Sequence, residues 1–410
     1  MSKVNKQKIF NDPIYGFVNI SHSIIFDLIE HKYFQRLRHI KQTGFSSFVY
    51  PGANHSRFHH AIGCLHLMQK VIHVLRQKKV QITHEEEIAV SIAILLHDIG
   101  HGPFSHALEK TILEDVYHET ISMKLMEILN QEFSGQLTMA LEIFNKKYHK
   151  KFLSQLISSQ IDIDRLDYLK RDSFYSGVSE GNINAERLIT MMNVENNSLV
   201  IDAKGIYSVE KFLTSRVFMY WQVYLHKTSI SAEIYLQQIL KRARELLRLN
   251  YKLEGSKNLI YFLSKNNENY TKSDLDLFTQ LDDHDLMYSL KIWQNSEDKI
   301  LAYLSSSLIL RKLPNSSIIK NKVSEEKLQE YKHEAEKLLE IENGSYFVHQ
   351  TELKIQVYDQ NQSTIFLKYK EGDLVALTDS EHQTMHPVLN QEIKKYHLCY
   401  LDKEKFIQFK

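Results

Sequence analysis

The sequence predicts a mainly α-helical protein that ends in a small α+β lobe. Only 5 prolines and 13 glycines occur in 410 residues, so few positions interrupt helices. Apolar residues recur at helical spacing through most of the first 340 residues, where alternating runs are scarce. β-Branched and aromatic residues then become frequent in residues 345–357, 363–369 and 374–378, which is typical of strands.

The length allows more than one domain. A chain of 410 residues is long enough for two or three domains and an ample core. We expect a helical catalytic domain over residues 1–307, with its core at about 50–175, and the α+β lobe over residues 308–410.

Charge and composition exclude several classes of function. The chain has 51 basic and 50 acidic residues, so its net charge of +1 argues against broad binding to nucleic acid or to membranes. The N-terminus lacks an apolar signal core, and no run reaches the roughly 18 apolar residues of a membrane span. The two cysteines, Cys64 and Cys399, lie far apart and predict a reducing compartment. We therefore expect a cytoplasmic protein.

Local patterns place the first elements along the chain. Tyr15 and Gly16 predict a turn within an extended segment or hairpin over residues 8–20. Apolar spacing predicts one or two helices over residues 23–42. A single apolar stripe predicts a helix over residues 56–68, with apolar side chains at positions 58, 61, 62, 65 and 68.

Further helices follow in the same way. A buried helix is predicted over residues 85–97. The acidic residues 85–87 lie at its N-terminus, where negative charge is stabilised by the positive end of the helix dipole. Another helix is expected from Phe104 to Leu113, and a third after Tyr117. The remaining helical segments are predicted at residues 161–172, 206–250, from an acidic start within 278–285, and 324–342.

A polar motif interrupts the predicted buried helix at its C-terminal end. Three histidines and two carboxylates occur between His97 and Glu109, just where Gly100, Gly102 and Pro103 break the helix. Neutral imidazoles and a carboxylate in a dry site are costly unless a partner satisfies them, and a divalent cation does so. A buried His-Asp hydrogen bond that ends a core helix is the simpler explanation for an isolated pair. Further ligands elsewhere in the chain would favour a metal.

Candidate ligands occur on both sides of this motif. His60 flanks the apolar stripe of the helix at 56–68, and Arg57 lies three residues earlier, where its guanidinium could pair with a phosphate. Downstream, Asp164, Tyr168 and Asp172 fall at i, i+4 and i+8 and therefore share one helical face.

These motifs resemble the HD-domain phosphohydrolases. The order H…HD…D, the sequence GHGPFSH after the HD pair and the last Asp within IDIDRLDYLKRD carry the resemblance, and more narrowly they resemble the deoxynucleoside triphosphate triphosphohydrolase branch. Similar stretches occur at residues 8–16, 34–42 and 224–227. The resemblance implies an HD-domain helical bundle that hydrolyses a deoxynucleoside triphosphate (dNTP) to a deoxynucleoside and inorganic triphosphate.

The resemblance also implies roles for individual residues. One divalent cation, of Mn, Fe, Ni, Zn or less naturally Mg, would be held by two imidazoles and two carboxylates, from His60, His97, Asp98 and Asp164. The implied catalytic residues are His101, His106, Glu109 and His118. The implied substrate-binding residues are Gln42, Arg57, Tyr168, Asp172, Arg216 and Tyr224. Within this set, Arg216 would contact a phosphate, and the Tyr224 ring would leave no room for a 2′-hydroxyl.

Some members of this family are tetramers assembled by an allosteric nucleotide. Lys8, Gln35 and Arg38 match parts of that activator site, but Glu30 stands where relatives use an Asp to read guanine. We expect a homo-oligomer, either a dimer or a tetramer, with a possible nucleotide activator.

Two other functions remain open from the sequence. The first is another HD phosphohydrolase, a nucleotidase or a phosphodiesterase, with the same four ligands. The second is a nucleotide sensor or single-stranded nucleic-acid-binding protein that kept the fold. Cys64, four residues after His60, is expected to be a small buried thiol, although it could face the metal.

Overall fold

The computed structural model describes residues 8–104, 112, 116–265, 270–356, 358, 364–380 and 392–409, and it confirms the mainly α-helical architecture. The helices up to residue 176 are α1 (Ser23–Glu30), α2 (Lys32–Gln35), α3 (Arg57–Gln77), α4 (His84–Leu96), α5 (His118–Glu132), α6 (Thr138–Phe144), α7 (Lys151–Ile157) and α8 (Ile163–Ser176). The later helices are α9 (Ala185–Met191), α10 (Ile206–Met219), α11 (Lys227–Arg248), α12 (Lys257–Ser264), α13 (Lys272–Phe278), α14 (Asp283–Trp293), α15 (Lys299–Ile309), α16 (Glu325–Leu339) and α17 (Lys403–Phe409).

The strands in the described part of the chain form three small sheets. They are β1 (Lys8–Asp12), β2 (Gly16–Ile20), β3 (Met192–Glu195), β4 (Ser198–Asp202), β5 (Asn315–Ile319), β6 (His349–Gln356), β7 (Phe366–Lys368), β8 (Leu374–Ala376) and β9 (Glu392–Tyr400). β1 and β2 form an antiparallel hairpin. The second sheet has the order β3-β4-β7-β8, in which only the β4–β7 pair is parallel. The third sheet has the antiparallel order β5-β9-β6.

Helices α3, α4 and α8 form the centre of the bundle. α3 packs against both α4 and α8, and its inward stripe of apolar side chains is almost fully buried. α4 is buried along most of its length because it is apolar nearly all round, as expected of a helix inside a core. Thr83 and Glu86 start α4 with a reciprocal capping box. The three helices therefore hold their polar ends in fixed positions relative to one another.

Most of the predicted elements are found. The hairpin at residues 8–20 and the helices predicted before residue 100 are present, and α14 begins after the capping residue Asp282. The helix predicted from Phe104 to Leu113 lies almost entirely outside the described residues. No helix in the described ranges is both long enough and apolar enough to cross a membrane.

The predicted long helical region over residues 206–250 is found as two helices. It is divided into α10 and α11 by a π-helical turn over Tyr220–Tyr224, and the extended residue His226 begins α11 as its N-cap. A π turn widens the helix by one residue per turn, so side chains four apart no longer align as they do in an α-helix. π-Turns of this kind often occur at functional sites.

The C-terminal residues form the expected small lobe of strands and helices. Sequence reasoning did not predict β3, β4, β5 or β9. The central strand β9 places His397 against the start of α11, where its Nε2 atom lies 3.1 Å from both the Ser231 hydroxyl and the Lys227 carbonyl oxygen. The division into two domains stays a prediction, since the proposed boundary falls in the last turn of α15 and β7 pairs with β4.

The stability of the contact between this lobe and α11 should depend on pH through His397. Burial lowers the pKa of His397 to about 4 from an ordinary value of 6.5. The folded protein therefore keeps this imidazole neutral at a pH where the unfolded chain takes up a proton. The resulting stability is complete above pH 6.5 and is lost as the pH falls towards 4.

We expect the substitution His397→Gln to flatten this pH dependence. In urea titrations at pH 7.5 and pH 4.5, the loss of unfolding free energy between the two values should be smaller than in the wild type by about 2–3 kcal/mol. The exposed His333→Gln on α16 serves as the control and should keep the wild-type dependence. An identical pH dependence in both variants would show that His397 does not remain neutral in the fold.

Candidate active site

Four side chains from α3, α4 and α8 converge at the centre of the bundle. The Nε2 atom of His60 lies 3.0 Å from Asp164 Oδ1 and 3.7 Å from Asp98 Oδ2. The Nε2 atom of His97 lies 3.3 Å from Asp98 Oδ1 and 3.6 Å from Asp164 Oδ1. Ligand atoms bound at about 2.1 Å to one ion lie roughly 3.0–3.4 Å apart in octahedral or tetrahedral sites. The structure thus brings the four predicted metal ligands together with near-coordination spacing.

Both imidazoles are held in the tautomer that a metal requires. The Nδ1–H of His60 donates to Asp167 Oδ2 at 2.8 Å, and the Nδ1–H of His97 donates to the Ile94 carbonyl oxygen at 2.6 Å. These bonds leave both Nε2 lone pairs facing the carboxylates. His97 Nε2 is buried and has no hydrogen-bond partner among the described residues. A buried acceptor in this position fits a divalent cation, which takes imidazole nitrogen and carboxylate oxygen as ligands.

The charges in this cluster are strongly coupled. Burial would raise the pKa of the Asp98 carboxyl, but His97, Arg57 and His101 hold it well below its usual range. Burial would also raise the pKa of Asp164, yet the neighbouring His60 and His97 imidazoles lower it. Both carboxylates are therefore ionised at neutral pH, which is the form that binds a cation.

A second layer of charges orients His60. Asp167 accepts from Arg171 Nε at 2.8 Å, and Arg171 Nη1 donates to Asp12 Oδ2 at 2.8 Å. All three groups are buried. Gly63 on α3 allows this pair to approach, because a Cβ atom there would lie 2.1 Å from Asp167 Oδ1. The hairpin β1–β2 is in this way connected by ion pairs to a proposed metal ligand.

The turn after α4 is fastened by α5. The Ser122 hydroxyl donates to the His97 carbonyl oxygen at 2.8 Å and accepts from the Gly100 N–H at 2.9 Å. A side chain at position 100 would collide with the backbone of α5, since its Cβ would lie 2.3 Å from Ser122 N. Gly100 is therefore required for the HD pair to sit at this helix end.

The predicted catalytic histidines are only partly described. The rings of His101 and His118 stack at 3.8 Å, and His101 Nε2 lies 3.4 Å from Asp98 Oδ1. Burial and the Arg57 guanidinium hold the pKa of His101 well below its usual range, so this imidazole is neutral at pH 7. Arg57 itself donates to Asp98. His106 and Glu109 lie outside the described residues.

The second half of the predicted substrate site lies farther along α8. Asp172 accepts from the Tyr224 hydroxyl at 2.6 Å, and the rings of Tyr168 and Tyr224 lie 6.1 Å apart at 75°. Gln42 Oε1 is buried without a hydrogen-bond partner among the described residues. Tyr224 is thus brought to Tyr168 and Asp172 of α8 although it lies 52 residues after Asp172 in the chain.

Arg216, which was predicted to contact a phosphate, is bonded to residues from two other parts of the chain. Its guanidinium donates to Gln160 Oε1 and to the Gln356 carbonyl oxygen, both at 3.3 Å. Arg165 is close enough to lower its pKa further, after burial has done so. The two guanidiniums therefore form a positive region near Tyr168 and Tyr220.

The remaining predictions concern Cys64 and the activator residues. The buried Cys64 sulfur lies 3.6 Å from both ring nitrogens of His60, and its ligand atom lies within 4.8 Å of those of His60, His97 and Asp164. Arg38 Nε donates to Gln35 Oε1 at 2.8 Å, and Lys8 lies 4.2 Å from the centre of the Phe26 ring. An activator site at Lys8, Gln35 and Arg38 stays a prediction.

Sequence reasoning missed three residues that support the site. Asp167 holds His60, Arg165 adds charge beside Asp164, and His55 Nε2 lies 2.7 Å from Asp172 Oδ1. All three lie within a few residues of predicted site residues. Of the three, only Asp167 could have been found from the sequence. It falls three residues after Asp164 on the same helix and therefore lies near the same face.

Two family models match this chain. Residues 57–172 match the HD domain, and residues 183–253 match the HD associated region. The first match begins at Arg57 and ends at Asp172, and it includes all four proposed metal ligands.

Solved structures and curated proteins agree with these matches. The crystal structure of a phosphohydrolase from Bacteroides thetaiotaomicron aligns with a TM-score of 0.93 and 44% identity, over 96% of this chain and 100% of that one. The uncharacterized protein YwfO of Bacillus subtilis is 35% identical over 76% of this chain and 72% of its own length. The deoxynucleoside triphosphate triphosphohydrolase SAMHD1 homolog of Dictyostelium discoideum is 33% identical over 63% of this chain, which spans about half (54%) of that protein.

The buried carboxylate behind His60 should control metal affinity. We expect Asp167→Asn to weaken binding of Mn²⁺ by about 10–100-fold, because the amide keeps the shape but loses the charge that holds His60 Nδ1–H. The measurement is a calorimetric titration of metal-free protein, below the unfolding temperature of the variant. Glu186→Gln, an exposed carboxylate paired with Lys70, is the control and should bind Mn²⁺ like the wild type. Equal Mn²⁺ affinities in both variants would show that Asp167 does not control metal binding.

Proposed function

The chain belongs to the HD-domain phosphohydrolase family, and we propose that it hydrolyses deoxynucleoside triphosphates to a deoxynucleoside and inorganic triphosphate. The supporting observation is the arrangement of one face of α8. Asp164, Tyr168 and Asp172 occupy successive turns of this face, so a metal ligand and a hydroxyl acceptor are separated by about 12 Å along the helix. This arrangement suits a ligand with phosphates at one end and a sugar at the other.

Positive charge is concentrated at the metal end of this face. Arg57 contacts Asp98, while Arg165 follows Asp164 directly and lies near Arg216. Phosphoryl transfer depends mainly on positioning and on offsetting the charge of the phosphate oxygens. We assign the triphosphate to these arginines and to the four ligands His60, His97, Asp98 and Asp164.

The divalent cation would supply a Lewis acid that lowers the pKa of water to about 7 and offsets phosphate charge. Its identity among Mn, Mg, Fe, Ni and Zn is open. The neutral His101 imidazole can donate a hydrogen bond to a phosphate oxygen without the cost of burying a second positive charge beside Arg57. His118 stacks on His101 and is therefore held at the same edge of the site.

The proposed reaction breaks the bond between the α-phosphorus and the 5′-oxygen. Water adds its oxygen to the α-phosphorus, and the departing 5′-oxygen takes a proton to become the hydroxyl of the deoxynucleoside. His118 or His106 would give that proton, and Glu109 would orient the imidazole that does so.

The sugar is assigned to the Asp172 end of α8. Asp172 has a carboxylate oxygen that can accept from a 3′-hydroxyl, with Gln42 and Tyr168 nearby in the proposed pocket. The ring of Tyr224 is fixed by its hydroxyl bond to Asp172 and by edge contact with Tyr220 at 5.2 Å. A ring held in this way would leave no space for a 2′-hydroxyl, which accounts for a preference for deoxyribose.

We further propose a cytoplasmic homo-oligomer, with an activating nucleotide near Lys8, Gln35 and Arg38. Support for this comes from the resemblance of these positions to the activator site of the dNTP triphosphohydrolases. Glu30, where those enzymes use an Asp, leaves the base of any activator open.

A product assay tests the reaction directly. Purified protein should convert at least one dNTP, alone or in a pair, to deoxynucleoside and triphosphate in the presence of Mn²⁺ or Mg²⁺. Chromatography that resolves nucleoside, monophosphate, phosphate, pyrophosphate and triphosphate is the measurement. A dNTP that is cleaved only in the presence of another dNTP would reveal an activator.

The matched control for this assay is Asp98→Ala, which should lose both bound metal and hydrolysis. Phosphate or monophosphate as the product would favour a nucleotidase or phosphodiesterase. Absence of turnover under all these conditions would favour a nucleotide sensor.

The proposed exclusion of a 2′-hydroxyl by the Tyr224 ring makes a separate prediction. Tyr224→Ala should raise the ratio of kcat/KM for a ribonucleoside triphosphate to that for its dNTP by about 10-fold, because the space for a 2′-hydroxyl opens. Tyr224→Phe keeps the ring and should keep most of the discrimination, and the exposed Tyr207→Ala should not change it. Unchanged discrimination in Tyr224→Ala would mean that another group excludes ribose.

A further inference from the structure

The Asp172 carboxylate is held by two donors on opposite sides. Tyr224 donates to Oδ2 at 2.6 Å, and His55 Nε2 lies 2.7 Å from Oδ1. The side chains of His55 and Asp172 are 0% and 3% exposed, so water does not substitute for the bond between them. A carboxylate accepts hydrogen bonds only, which makes His55 Nε2 the donor. The second ring nitrogen, Nδ1, is buried and has no hydrogen-bond partner among the described residues.

The position of His55 is fixed by the chain around it. The imidazole stacks on the Tyr175 ring at 4.5 Å and 15°. The preceding turn packs tightly on the same residue, since a Cβ atom at Gly52 would lie 2.6 Å from the Tyr175 carbonyl oxygen. The His55 carbonyl oxygen also accepts from the Gln42 N–H at 3.0 Å. His55 therefore joins the last turn of α8 to the segment that carries Gln42.

We propose that His55 is a positioning residue that fixes Asp172 for recognition of the substrate 3′-hydroxyl. This inference rests on the proposed function, because it assigns a sugar to the Asp172 end of the cleft. It goes beyond that function by naming a residue that does not touch the substrate and acts through Asp172.

The physical argument concerns the direction of the carboxylate lone pairs. Each carboxylate oxygen has two lone pairs, and the bonds from His55 and Tyr224 use one on each oxygen. With both bonds made, the carboxylate plane is fixed and the remaining lone pairs have set directions. Without the bond from His55, the carboxylate could rotate about the Cβ–Cγ bond of Asp172. Tyr224 would still hold one of its oxygens. A 3′-hydroxyl would then meet an acceptor that is no longer aimed at it.

The test pairs substitutions at His55 with removal of the 3′-hydroxyl from the substrate. His55→Leu removes the donor, and His55→Gln keeps an N–H at a similar distance. His59→Gln is the matched control, since His59 lies on the same segment, and a Gln at its position keeps the capping box with Ser56. For each protein, kcat/KM is measured with the four dNTPs and with their 2′,3′-dideoxy counterparts, under the activating conditions that the wild type requires.

The expected result is a selective loss. In the wild type the dNTP should be preferred over the dideoxy compound, and in His55→Leu this preference should fall by about 10-fold. The dideoxy substrate itself should be used about as well as by the wild type. His55→Gln should restore most of the preference, and His59→Gln should keep all of it. A residue that only supports the fold would reduce activity on both substrates equally.

Two outcomes overturn the inference in distinguishable ways. If the wild type cleaves dNTPs and His55→Leu keeps the wild-type preference for a 3′-hydroxyl, His55 does not position Asp172, while the proposed function stands. If the wild type cleaves no dNTP, the proposed function fails and the assignment of His55 fails with it. Should His55→Leu not fold, His55→Gln decides alone: the inference requires it to fold and to keep the preference.

Discussion

The structure depends on neutralising a group of ionisable side chains buried where three helices meet. His60, His97 and Asp98 are each less than a tenth exposed, and a bundle core would not accept them without partners. The chain supplies these partners as a row of groups with alternating charge. The row runs outward from His60 through Asp167, Arg171 and Asp12. Gly63 and Gly100 are needed for the same reason, because each lets a polar backbone or side-chain group approach a neighbouring helix.

The helix that carries Asp164 of the proposed metal cluster also carries Asp172 of the proposed sugar site. Because α8 repeats every 3.6 residues, positions 164, 168 and 172 lie close to one face and would line the substrate from its phosphates to its sugar. Asp167 and Arg171 lie in the adjoining row of side chains, three and seven residues after Asp164, where they pair with each other and hold His60. A single helix can serve both purposes because these two rows run side by side along it. This division also explains why the residues of IDIDRLDYLKRD are so densely charged for a buried helix.

Much of this arrangement could be predicted from the sequence, and the exceptions have physical causes. The α8 face follows from helical periodicity, while the set of four ligands follows from the resemblance to the HD-domain phosphohydrolases. The π turn at residues 220–224 could not be predicted, since its sequence YWQVY has the apolar content of an ordinary helix. His55 could not be assigned because its role depends on a contact with a residue 117 positions away in the chain. The strand β9 was missed because its charged and aromatic residues do not alternate clearly, and only its position between β5 and β6 defines it.

The π turn links the C-terminal lobe to the proposed sugar pocket. Trp221 and Leu225 pack against a buried cluster that includes Leu353 of β6 and Cys399 of β9, and Lys395 lies 4.2 Å from the Trp221 ring. On its other side the turn carries Tyr224 to Asp172. The widened backbone lets one short segment direct Trp221 into the lobe and Tyr224 towards Asp172, which a regular α-helix would place at a different angle. Since Arg216 also donates to the carbonyl oxygen of Gln356 at the end of β6, the lobe contacts both Arg216 and the π turn that carries Tyr224. The lobe is therefore part of the scaffold of the site, although it contributes none of the proposed metal ligands.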